Sequence, residues 1–134
     1  MAKYLIDTNT WIEYFHNRSG VMEHLKEIPA ENIYVSEITI AELIYGAVHS
    51  RNEEKHLNET YEISETFNVV AISNVLRQYA DLRHALVNQN QKNVGDFDIL
   101  IGATALHYDM IIVTDNIKHF KLMPEIKIEN WVSR

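Results

Sequence analysis

Asp98-Ile-Leu-Ile-Gly-Ala-Thr-Ala-Leu-His107 places a carboxylate at the head of an almost wholly apolar segment of helical length. A helix that is apolar on most sides packs between layers rather than lying on a surface. Just beyond it, Met110-Ile-Ile-Val113 is the most apolar of the short β-compatible runs. Further out, Lys3–Ile6, Ile33–Ser36, Val69–Ile72 and Ile126–Ile128 read as strands. Between them lie helical patterns. Trp11, Ile12 and Phe15 recur at helical spacing, with Met22 and Leu25 extending the stripe less regularly. Thr39–Gly46 and the polar stretch Ser50–Glu65 are helix-compatible. Val75, Tyr79, Leu82 and Leu86 repeat at steps of four, three and four, and Gln89–Gly95 reads as a loop. Strands alternate with helices and no hairpin signal joins two strands. This predicts a parallel sheet with helices on both faces.

The chain has 134 residues, 46% hydrophobic and 23% charged, which reads as one globular domain over residues 1–134. It contains no cysteine, so disulfides, thiolate metal sites and cysteine nucleophiles are excluded. No apolar run reaches the roughly 18 residues of a membrane span. Asp7 interrupts the apolar start where a signal peptide would continue. The expectation is a cytoplasmic protein without membrane contact. The net charge of −7 lacks the basic footprint of a general nucleic-acid binder. Any nucleic acid must meet a local basic rim, a metal or a partner's charges.

Asp98 has counterparts at other element boundaries: Asp7 after the first strand, Glu42 in the helix entered from the second, and Asp115 after the fourth. In open parallel sheets ligands sit beyond the carboxyl ends of the strands, so these acids project toward one edge. Two carboxylates ~4 Å apart repel by about 4 kcal/mol at an effective dielectric of 20. Protons or a cation must relieve that. Oxygen donors without cysteine or paired histidines select Mg²⁺, with Mn²⁺ as the alternative, over zinc. Each residue also has a plainer reading. Asp7 suits an N-cap, as do Thr8, Asn9 and Thr10. Thr39-x-x-Glu42 has the pattern of a capping box. Asp96 and Asp98 suit the start of the apolar helix, and Asp115-Asn116 a turn. The seven histidines show no His-x-x-x-His pair; His119 lies nearest the acids in sequence. Trp11, Tyr14 and Phe15 read as core or subunit contact.

Leu5-Ile-Asp-Thr-Asn9, Ile38-Thr-Ile-Ala-Glu-Leu-Ile-Tyr-Gly46, Gly95-Asp-Phe-Asp-Ile-Leu-Ile-Gly-Ala103 and Ile112-Val-Thr-Asp-Asn116 with His119-Phe120 occur in that order. Together they resemble a PIN domain, and within that superfamily the VapC-type toxins of toxin–antitoxin pairs. The resemblance runs to Glu129-Asn-Trp131. It implies a three-layer α/β/α sandwich with a central, mainly parallel sheet of about five strands. It implies Mg²⁺-dependent endoribonuclease activity on an RNA substrate, a homodimer, and a small VapB-like antitoxin as partner, with a higher hetero-oligomer as the further assembly. It places metal ligands at Asp7 and Asp98, with Glu42 completing the site. The fourth position stays open between Asp115 and Asn116, with Asp96 as an outer acid or cap. Thr114 is expected to hydrogen-bond an acid, and Thr8 and Asn9 to orient the turn of Asp7. Arg18, Arg51 and Lys118 are candidates for phosphate-backbone contacts. The competing readings are a non-catalytic PIN-like module that binds RNA or protein, and a phosphatase. The latter needs a second aspartate that Asp7-Thr8-Asn9 lacks.

Overall fold

A computed structural model describes residues 1–17, 20–91 and 93–133. Five strands make one sheet: β1 (Tyr4–Ile6), β2 (Ile33–Ser36), β3 (Asn68–Val70), β4 (Ile111–Val113) and β5 (Lys127–Glu129). Their order is β3-β2-β1-β4-β5, and every neighbouring pair is parallel. The α-helices among the described residues are α1 (Thr8–Phe15), α2 (Val21–Lys26), α3 (Glu37–Val48), α4 (Glu53–Thr66), α5 (Leu76–Asn88), α6 (Asp96–His107) and α7 (Ile117–Phe120).

Side-chain alternation along the strands divides the core in two. Leu5 and Ile112 point to one face, where they meet Leu82 and Leu86 of α5, Ile99, Ile101 and Ala103 of α6, and Phe120 of α7. Ile6, Val113, Ile33 and Val35 point to the other face and meet Trp11, Val21, Leu43 and Ile63 of α1 to α4. Each fully buried Leu or Ile contributes about 1.5–3 kcal/mol relative to exposure, so both helical layers are held firmly. The expected three layers and five parallel strands are what the structure shows.

The boundaries shift for local reasons. The stripe from Trp11 to Leu25 is carried by two helices, α1 and α2. Asn17 (φ 51°) turns the chain after α1, and Gly20 (φ 82°) starts α2 from the left-handed region. The N-cap of α1 is Asp7 itself rather than Thr8, Asn9 or Thr10. The cap of α3 is Ser36, whose Oγ accepts from Ile38 N–H at 3.1 Å. The Thr39-x-x-Glu42 capping box is therefore overturned: both residues sit inside the helix, and Thr39 is fully buried. α6 begins two residues before Asp98, with Gly95 as an N-cap that makes no side-chain bond. β3 ends at Val70 rather than Ile72, because Ile72 N–H turns to Glu37 Oε1 at 2.8 Å. The short helix α7 was not expected from sequence; its four residues are too few to show a period.

Candidate active site

Strand order reverses direction between β1 and β4: the chain moves outward from β1 to β2 and β3, then returns to β4 on the other side. The crevice beyond the carboxyl ends of those two strands is where open α/β sheets bind ligands. Asp7 leaves β1 at this point, and Thr114, Asp115 and Asn116 leave β4. Asp7 N–H donates to Val113 O at 2.9 Å, extending the parallel ladder by one bond and holding the two strand ends together.

One string of hydrogen bonds runs through the crevice. Asp7 Oδ1 accepts from Thr8 N–H at 2.8 Å, and Asp7 Oδ2 accepts from the Thr114 hydroxyl at 2.9 Å. The Thr8 hydroxyl donates to Glu42 Oε1 at 2.7 Å and lies 3.1 Å from Thr39 Oγ1. On the other side, Thr114 Oγ1 accepts from Asn116 N–H at 2.9 Å. The Asn116 amide donates to Asp98 Oδ2 at 3.2 Å and lies 3.0 Å from His119 Nδ1, which is itself 3.2 Å from Asp98 Oδ2. Glu42, Thr8, Asp7, Thr114, Asn116, Asp98 and His119 are thus linked in sequence, across residues up to 107 apart in the chain.

Asp7 is 4% exposed and Thr114 fully buried, whereas Asp98 is half-buried. Burial pushes the Asp7 carboxyl up from 3.8 to about 6. The bonds from Thr114 and Thr8 pull the other way, and the charges of Asp98 and Glu42 add to the rise. The crevice is therefore short of positive charge. Its donor set is carboxylate oxygen, and the string uses only one oxygen each of Glu42 and Asp98. This chemistry fits a hard divalent cation. Among the described residues no three histidine or acidic side chains stand close enough to enclose an ion as they are arranged. Each acid is instead tied to a hydroxyl or amide.

The other sequence candidates lie elsewhere. Asp115 accepts from Asn130 Nδ2 at 3.0 Å, which fastens the exit of β4 to the exit of β5. Asp96 accepts from the Tyr79 hydroxyl at 2.9 Å and faces Arg83 at 3.7 Å, on the α5 side of the helix start. Asn9 is exposed in the first turn of α1. Arg51 and Lys118 are exposed, and Arg18 lies outside the described residues. Trp11 is wholly buried against Tyr14 and Phe67, a core residue. Thr39 is the site residue that sequence reading missed. Its position three before Glu42 puts both on one helix face, but the same spacing is that of a capping box.

The PIN domain family model matches residues 4–125. The chain belongs to the PIN-domain family. Among PIN-domain proteins it is 30% identical over 131 residues to Ribonuclease VapC2 of Rickettsia felis, covering 96% of this chain and 97% of that protein. It is 29% identical over 134 residues to the tRNA(fMet)-specific endonuclease VapC of Salmonella typhimurium, covering 98% and 99%. The crystal structure of DNA-bound VapBC from Salmonella typhimurium superposes with a TM-score of 0.89 at 28% identity, covering 98% of this chain and 99% of that one. This PIN domain has no helix, among its described residues, long and apolar enough to cross a membrane.

Proposed function

We propose that this chain is a divalent-metal-dependent endoribonuclease acting as the toxin of a toxin–antitoxin pair. The observation that carries the reading is the hydrogen-bonded string that gathers Asp7, Glu42 and Asp98 at the switch point of the sheet. Asp7 and Asp98 are the metal ligands, and Glu42 completes the site. Mg²⁺ is the ion proposed, with Mn²⁺ as the alternative, because the donors are hard oxygens. A bound divalent cation supplies Lewis-acid chemistry, polarising the phosphodiester and making water a nucleophile at neutral pH. The chain's own residues do the rest. Thr8 and Thr114 fix both oxygens of Asp7 and so its orientation. Thr8 also aims Glu42, and Asn116 holds Asp98 at the rim.

The partners proposed are RNA as substrate, a small VapB-like antitoxin and a second copy of the chain, in the cytoplasm. A groove of about 190 Å³ with Ile12, Phe15, Leu43 and Ala47 among its lining residues also has Glu42 in its wall. A peptide lying there would reach the site, which suits an inhibitor that blocks it. The test is incubation of the purified protein with total RNA and mapping of new ends. Metal-dependent ends that disappear with a chelator are expected. RNA binding without new ends at any metal concentration would favour the non-catalytic module, for which the amide at Asn116 in place of an acid is the only local support.

A further inference from the structure

We propose that His119 contacts the substrate directly, donating its Nε2–H to a non-bridging phosphate oxygen of the RNA; this rests on the ribonuclease reading above. The ring's orientation is set by its two neighbours in the crevice. The Asn116 amide nitrogen donates to Asp98 Oδ2 at 3.2 Å and lies 3.0 Å from His119 Nδ1. Nδ1 is itself 3.2 Å from Asp98 Oδ2, so this nitrogen is turned into the cluster and Nε2 is turned away from it.

The ring is one-third exposed, and Nε2 has no hydrogen-bond partner among the described residues and is not buried. Nε2 is thus presented at the rim of a carboxylate cluster, the ring atom placed to give a hydrogen to a bound phosphate. Phosphate oxygens are the groups such a donor serves. The need is specific to this chain: it carries a net charge of −7, and the nearby described cation, Lys118, is an exposed side chain on α7. Phosphate contacts made by neutral N–H groups position a nucleic acid without relying on basic charge.

Two amide substitutions separate this role from a purely structural one. Asn in place of His119 keeps a polar atom near the Nδ1 position and loses the donor at Nε2. Gln keeps the donor and loses the Nδ1 contact. Cleavage kinetics are measured on a fluorescent RNA oligonucleotide spanning a mapped cut site, with thermal unfolding run alongside. His119→Asn is expected to raise KM roughly tenfold or more, with kcat within about threefold of wild type, and His119→Gln to recover most of that loss. A wild-type KM in His119→Asn overturns the inference, as does a KM in His119→Gln no better than in His119→Asn. A wild-type protein that cuts no RNA overturns the nuclease reading itself, and this inference with it.

Discussion

Asp7 carries two tasks with opposing energetics. It caps α1 and belongs to an acidic cluster, and burial together with Asp98 and Glu42 raises its pKa from 3.8 to about 6. A carboxyl whose folded pKa exceeds its unfolded value binds its proton more tightly when folded. Its contribution to stability is then lost as pH rises between about 4 and 6 and stays lost above that window. A rise of this size corresponds to roughly 3 kcal/mol. In metal-free buffer at pH 7.5, Asp7→Asn is expected to raise the melting temperature by several degrees, and in Mg²⁺ the same variant is expected to cut no RNA. Thermal unfolding across pH 4–8 checks this: the wild type should lose stability through the window and the variant should not. Thr114→Val removes the donor to a buried carboxylate at nearly constant volume. It is expected to cost about 1–3 kcal/mol by denaturant unfolding and to depress activity with it. These roles were only partly legible in sequence. Asp7 stood out at the end of a strand, Asp98 at the head of an apolar helix, and Glu42 inside the helix entered from the second strand. Asp115 and Asn116 could not be separated, because adjacent residues leaving a strand differ only in the direction they point. The structure turns Asp115 to Asn130 and Asn116 to Asp98.

Helix α6 is the element on which the fold and the site both depend. Its first turn presents Asp98, and its body packs between the sheet and α5 and α7. At Gly102 a β-carbon would collide with Met123 Sδ, a side chain itself 2% exposed. Gly102→Ala gains up to about 1 kcal/mol in helix propensity and incurs about 1–3 kcal/mol of overpacking. Net destabilisation is expected. Met123→Ala in the same chain should suppress that penalty, which a double-mutant cycle by chemical denaturation would show. The apolar run made α6 readable, and period-2 and period-3.6 patterns made most other elements so. What escaped was one contact distant in sequence, one choice of cap between nearby polar residues and one very short helix. Ile72 is drawn out of β3 by Glu37, Ser36 displaces Thr39 as a cap, and α7 is too short to carry a pattern.

At the scale of the whole molecule, the topology does what no single segment could. The order β3-β2-β1-β4-β5 sets the ends of β1 and β4 side by side, so acids from distant segments share one crevice despite their repulsion. Such an arrangement is stable only while protons, hydrogen bonds or a cation offset the charge. Titrating Mg²⁺ or Mn²⁺ into the metal-free protein should therefore stabilise it by about 2.7 kcal/mol at a hundredfold excess over Kd, and Asp98→Asn should remove most of that gain in thermal-shift measurements. We propose that cleavage depends on Asp98 within the string, whereas Asp115, bonded to Asn130, fastens β4 to β5. RNA cleavage rates of Asp98→Asn and Asp115→Asn, measured against wild type in Mg²⁺ with folding verified for each, separate the two roles. No cleavage is expected from Asp98→Asn, and near wild-type cleavage from Asp115→Asn. A folded Asp98→Asn protein that cuts RNA at the wild-type rate, or a folded Asp115→Asn protein that cuts none, would contradict these roles.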